Sequence, residues 1–256
     1  MKVSAVLIVK NEEDCLERCL EALNQIADEI IVVDTGSDDS SRDIALRFTK
    51  KVFDYPWGED FAAAKNYAVS RASGDFVLVV DADEVLREPG TAAQRLRTFV
   101  RNCPQGTAGI VDVVSPIGTG RDALEVVDKQ PRLFRPAEYR YVGAVHEQLE
   151  AFSGAIKVRT TGLVLDHSGY ATDVVTSKDK FARNQAILQK ELETASDDEY
   201  ILFQLGKSHF CARDYASAAE YLERAMKAID FDAEPRPVGK KGPVATATLT
   251  DLPVSL

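Results

Sequence analysis

Val3–Val9 is an apolar run rich in β-branched residues, long enough for a buried strand and too short for a helix. After it, Cys15, Leu16, Cys19, Leu20 and Leu23 are spaced as one face of a helix. Asn11 is the expected cap, and Glu12, Glu13 and Asp14 would favour the positive end of the helix dipole. Glu29–Val33 predicts a second buried strand ending at Asp34, and Thr35-Gly36-Ser37-Asp38-Asp39 a turn into a helix that buries Ile44, Ala45 and Phe48. Lys51–Phe53 predicts a short strand and Phe61–Arg71 a helix ended by Ala72-Ser73-Gly74-Asp75. Phe76–Val80 is a fully apolar strand that stops at Asp81-Ala82-Asp83-Glu84. Strands alternating with helices imply right-handed crossovers and an α/β, Rossmann-like, mostly parallel sheet. That arrangement puts Asp34 and Asp81 on the carboxyl edge, where ligands of open sheets bind.

From Thr107 to His167 the pattern changes to short runs broken by Gly and Pro: Ile110–Val114, Leu124–Val127, Leu133–Phe134, Val142–Val145 and Leu163–Leu165. These predict strands and loops that finish the sheet. Beyond Tyr170 the chain turns helical, with Phe181, Ile187, Leu188 and Leu192 as the stripe of a helix over Lys178–Glu193 and two more helices around Arg213-Asp214. There Leu202-x-x-Leu205-Gly206-x-x-His209, followed by Ala218, Leu222 and Ala225, resembles one tetratricopeptide repeat with His209 as a packing residue. One repeat cannot bury both faces, so a helical cap or a homodimer contact is favoured over peptide recognition. The expected organisation is a large domain over 1–170, a helical region over 171–232 and a loose tail over 233–256.

Composition narrows the function classes. The 45% hydrophobic and 28% charged fractions are those of a globular chain, and no apolar run approaches a transmembrane span. Lys10-Asn11-Glu12-Glu13 stands where a signal peptide would place small residues, so a cytoplasmic location is expected. A net charge of −10 argues against nucleic acid as a partner, because that affinity needs clustered Lys and Arg. Cys15, Cys19, Cys103 and Cys211 lack metal or redox spacing and read as small core residues.

Four segments carry the chemistry: Val6-Leu7-Ile8-Val9-Lys10-Asn11-Glu12-Glu13, Ile31-Val32-Val33-Asp34-Thr35-Gly36-Ser37-Asp38-Asp39, Ala64-Lys65-Asn66-Tyr67-Ala68 and Gly74-Asp75-Phe76-Val77-Leu78-Val79-Val80-Asp81-Ala82-Asp83-Glu84. An Asp at one strand end is usually a cap or turn residue; the ordered set is what points to function. In this order the segments resemble a family 2 glycosyltransferase of the glycosyltransferase A fold over residues 1–170. Such an enzyme must hold a diphosphate leaving group, and an Asp-x-Asp strand end does so through a hard divalent cation, Mn2+ or Mg2+. Asp83 is the expected ligand, with His167 as a candidate third ligand or else a structural histidine. The resemblance places Asp81 toward the nucleotide ribose or a metal-bound water, Asp34 toward the base and Lys65 near the nucleotide, with Thr35 where the family more often has a second Asp.

An inverting transferase also needs a base near the acceptor. Glu147, in Tyr141-Val142-Gly143-Ala144-Val145-His146-Glu147, resembles by position the His-Glu pair of lipopolysaccharide-core and bacteriocin glycosyltransferases; its alternative is a surface carboxylate at a helix start. Arg132 and Arg135 are candidates to hold phosphate or orient the acceptor. Trp57 either stacks on a sugar or base or plugs a core edge. The resemblance implies a nucleoside diphosphate sugar donor, a uridine one first. The acceptor would offer a hydroxyl or thiol on a glycan, a lipid-linked glycan or a peptide. The rival from another class is a degenerate transferase domain serving as a scaffold for the helical region. A nucleotidyltransferase or dehydrogenase would need a glycine-rich phosphate loop, and no glycine follows the first strand.

Overall fold

The structure, a computed structural model, describes residues 1–117, 124–167, 174–195 and 198–229. The tail expected over 233–256 and residues 168–170 lie outside the described residues. The chain divides into two units, Met1–Asp173 and Val174–Leu256.

In the first unit, β1 (Val3–Val9), α1 (Leu16–Leu23), β2 (Glu29–Asp34), α2 (Ser41–Phe48), β3 (Val52–Asp54), α3 (Phe61–Ser70) and β4 (Phe76–Val79) alternate. Their four strands pair in parallel, with Val9 beside Asp34 and Val6 beside Val79. All six residues of β2 are buried because helices cover both faces of this half of the sheet. Next come β5 (Glu84–Leu86), α4 (Pro89–Asn102), β6 (Thr107–Ile117), β7 (Leu124–Phe134), β8 (Tyr139–Val142), β9 (Gln148–Ala151) and β10 (Lys157–His167). The eight-stranded sheet runs β3-β2-β1-β4-β7-β6-β10-β5, and β8 pairs with β9 as a separate ribbon. Parallel pairs outnumber antiparallel ones in the large sheet, four to three.

The period of two along each strand sorts the core into two layers. Leu7, Leu78 and Leu133 face Leu16, Leu20 and Leu23 of α1 and Leu96 and Phe99 of α4. Val6, Ile31, Val79 and Phe134 face Ala62 and Ala68 of α3 and Tyr139, Tyr141 and Leu149 of the ribbon.

Three local expectations change. Asn11 does not cap α1: its φ is 55°, its Oδ1 accepts from the Asp38 N–H at 2.9 Å, and its own N–H donates to Ser37 Oγ at 3.0 Å. Its side chain stitches together the loops after β1 and β2, and the helix starts later, at Leu16. The runs at 110–114, 124–127 and 133–134 are pieces of two long strands, because β7 leaves its first six positions exposed and so dilutes the apolar signal. Val142–Val145 is split, since β8 ends at Val142 and the chain turns through Gly143 at φ 92°. Glu147 therefore closes a turn into β9 and does not start a helix.

Glu29 opens β2 as a buried carboxylate bonded to Ser4 Oγ and Lys51 Nζ and, at 2.8 Å each, to the Ser73 N–H and Oγ. Burial works against its charge, but the donors from Lys51, Ser4 and Ser73 outweigh it and hold its carboxyl far below the ordinary value of 4.5. A depressed carboxyl stabilises the fold above the unfolded value and loses that contribution as pH falls through the folded one. Glu29→Gln should cost about 3 kcal/mol at neutral pH. Denaturant melts should also show the wild type losing stability below roughly pH 4.5 more steeply than the variant.

The second unit contains α5 (Val174–Thr194), α6 (Glu199–Cys211) and α7 (Tyr215–Ala228). Asp198 caps α6 by accepting from the Tyr200 and Ile201 N–H groups, and Asp214 caps α7 through Ser217. His209 joins the three helices: its ring meets Gln185 at 2.7 Å and Asp214 at 3.0 Å and stacks on Tyr221. Gly206 is where α6 and α7 approach, for an added Cβ would lie 2.7 Å from Leu222 Cγ. Gly206→Val should destabilise this unit by about 3 kcal/mol through overpacking, read as lost hydrogen-exchange protection in α6 and α7. Among the described residues no helix is long and apolar enough to cross a membrane.

Candidate active site

The chain leaves β4 through Val80, whose N–H still bonds to Val6, and enters a closed turn. The Glu84 N–H donates to the Asp81 carbonyl at 3.0 Å, and the Asp81 N–H donates to Glu84 Oε2 at 2.9 Å. This reciprocal pair fixes the Asp-Ala-Asp-Glu segment at the carboxyl end of β4.

Two cations divide the Asp81 carboxylate. Lys65 Nζ of α3 lies 3.0 Å from Oδ1, and Arg132 Nη2 of β7 donates to Oδ2 at 2.8 Å. The same Arg132 nitrogen reaches Glu84 at 3.2 Å, and its Nε donates to Gln130 at 2.8 Å. Lys65 continues to Glu147 Oε1 at 2.5 Å. Lys65 is only 4% exposed and Arg132 5%, so the cations sit beneath the site and are not ordinary surface charges. Burial opposes both the Asp81 charge and the Lys65 charge. Arg132 and Lys65 nevertheless hold the Asp81 carboxyl well below the carboxylate range, and Asp81 and Glu147 hold the Lys65 ammonium above the usual lysine range. Burial, together with the Asp81 charge, pushes the Glu84 carboxyl up. Burial also pushes the Tyr141 hydroxyl up to about 12, with its ring 5.6 Å from Lys65.

Asp83 belongs to a second group. His167 ends β10 opposite Glu84 of β5, and its Nε2 lies 3.1 Å from Asp83 Oδ2. Ser115 Oγ of β6 meets the other ring nitrogen at 3.1 Å, which fixes which edge of the ring faces Asp83. The bond to Asp83 raises the His167 pKa against its burial. Among the described residues no three acidic, histidine or cysteine side chains close a metal cage. A carboxylate and an oriented imidazole nonetheless form a donor set that suits a divalent cation whose remaining ligands come from phosphate oxygens.

Asp34 stands at the end of β2, where Oδ1 accepts from the Gly36 and Ser37 N–H groups at 3.1 and 2.8 Å. Its other oxygen lies 3.9 Å from Arg42. Arg135 belongs to the scaffold: its guanidinium lies 4.4 Å over Phe76 and donates to the carbonyls of Cys103 and Pro104. Trp57 packs edge-on against Phe61. The fold thus joins Asp81, Lys65 and Glu147 through one lysine and pairs Asp83 with His167 two residues along. Glu84, Tyr141 and Ser115 received no role from sequence reasoning. Glu84 was visible as the end of the acidic turn, but Ser115 carries no signal, since only strand register sets it beside His167.

The family model for glycosyl transferase family 2 matches residues 4–145. The chain belongs to this family. A tetratricopeptide-repeat-containing protein of Synechococcus elongatus is 30% identical over 237 residues, covering 88% of this chain and 57% of that protein. The prophage-derived glycosyltransferase SunS of Bacillus subtilis is 25% identical over 234 residues, covering 88% of this chain and 53% of SunS. The chain thus spans about half the length of these curated relatives. Among solved structures, residues 1–349 of Staphylococcus aureus TarS superimpose with a TM-score of 0.53 at 15% identity, covering 90% of this chain and 81% of that one. The same TarS segment has been solved with UDP-GlcNAc. The match to the family model ends within the turn that leads to Glu147, so Glu147 and His167 lie beyond the matched segment.

Proposed function

We propose that this family 2 chain transfers a sugar from a nucleoside diphosphate donor, with inversion, to a hydroxyl or thiol acceptor. The observation that carries the reading is the Asp83–His167 pair set beside the Asp81–Lys65–Glu147 chain of charges. Asp83 and His167 would hold a divalent cation, Mn2+ or Mg2+, which when bound neutralises charge developing on the departing diphosphate. Asp81 and Asp34 take the nucleoside, at the ribose and the base. Lys65 lines the donor side through its contact with Asp81. Glu147 accepts the acceptor's proton as the acceptor oxygen or sulfur bonds to the anomeric carbon and the bond to the diphosphate breaks, its electron pair leaving with the phosphate. The UDP-GlcNAc held by TarS supports uridine as the nucleoside.

Calorimetric titration with UDP and then GDP, each with and without Mn2+, tests the reading. Metal-dependent binding of UDP is expected, tighter than that of GDP. Failure of both nucleotides to bind under every condition would sink it.

A further inference from the structure

Helix α3 is fastened at three points to the segment that carries Glu147. The N–H of Phe61, its first residue, donates to the Ala144 carbonyl at 2.8 Å. Asn66 pairs with the backbone of Tyr141 on both sides: Oδ1 accepts from the Tyr141 N–H and Nδ2 donates to the Tyr141 carbonyl, each at 2.8 Å. Lys65 then bridges Glu147 and Asp81.

Each link constrains something different. A side-chain amide that takes both backbone groups of one residue acts as a strand neighbour and leaves β8 no freedom to slide along α3. Beyond Tyr141 the pairing of Val142 with Gln148 closes the turn on its far side, so Glu147 is gripped from before and after. The Lys65 ammonium, buried and shared by two carboxylates, fixes where the Glu147 side chain ends, since breaking a buried charge pair is expensive. Its ion pairs with Asp81 and Glu147 both tie it to carboxylates.

We infer that Lys65 and Asn66 are positioning residues for Glu147: Asn66 sets the backbone of its turn, and Lys65 pins one carboxylate oxygen against Asp81, leaving the other for the acceptor proton. The inference rests on the proposed role of Glu147 as base. It assigns Lys65 to the alignment of that base, beyond its placement near the nucleotide.

The test uses the full chain with Lys65→Met, Lys65→Arg, Asn66→Ala and Glu147→Gln. UDP affinity in Mn2+ is read by calorimetry, and UDP release from UDP-GlcNAc is read with water as acceptor. Lys65→Met and Asn66→Ala should lower kcat by about 10- to 100-fold, as expected for a misplaced reacting group. UDP affinity should stay within about threefold in Asn66→Ala, which touches no donor-side group, and in Lys65→Met any loss of affinity should be smaller than the loss in kcat. Lys65→Arg should recover part of the rate by keeping the charge, and Lys65→Met should add little to Glu147→Gln. Asn66→Ala leaves every charge in place and carries the test if Lys65→Met does not fold. A tenfold loss of UDP affinity in Lys65→Met with kcat retained would mark a phosphate-holding lysine and overturn the inference. An inactive Glu147→Gln beside fully active Lys65→Met and Asn66→Ala would also reject it while leaving the base in place. Wild-type release rates in Glu147→Gln would reject the base itself.

Discussion

Asp83→Ala should eliminate the Mn2+-dependent part of UDP binding and lower turnover by about 10³-fold, the scale on which loss of one electrostatic stabiliser acts. On the proposed reading Asp83 and His167 are the protein's ligands to the cation, so removing the carboxylate would leave the imidazole against a hard cation that prefers oxygen. Folding should be nearly unaffected, because the turn around Asp83 is closed by Asp81 and Glu84 and stapled by Arg132, none of which changes. Calorimetry with and without Mn2+, together with a thermal melt, separates the two effects. Undiminished turnover in the variant would remove Asp83 from the metal role.

Glu147→Gln should abolish transfer, by about 10³-fold, within the usual range for a general base, while UDP still binds. The amide is isosteric and can still accept from Lys65, so the turn should keep its shape, but it cannot take up a proton. UDP titration and single-turnover transfer on the same preparation give the answer. Loss of nucleotide binding along with transfer would assign Glu147 to the donor and leave the base to be found elsewhere.

The parallel half of the sheet was legible because its strands are buried on both faces. Such strands show as nearly continuous apolar runs, and the observed Val3–Val9, Glu29–Asp34 and Phe76–Val79 match the expected Val3–Val9, Glu29–Val33 and Phe76–Val80 to within one residue. The antiparallel half was not. β7 is exposed over its first six residues, and the ladder hydrogen bonds that define it leave no mark on side-chain polarity. Asn11 was misread for a related reason: an amide before a helical stripe suits a cap equally well as a clasp between loops, and only the arrival of Asp38 decides between them.

The site divides in the same way. The sequence by itself determined that a strand ends in Asp81-Ala82-Asp83-Glu84, because local periodicity and turn chemistry act over a few residues and are written in the chain; the family came from the resemblance of its ordered motifs. Only the tertiary structure decided which charges meet. Lys65 and Arg132, residues that usually remain solvated, are buried against Asp81. His167 reaches Asp83 because β10 pairs with β5 across some eighty positions of sequence. Strand register and burial turn unremarkable polar residues into partners, and both are properties of how the whole sheet closes rather than of any segment within it.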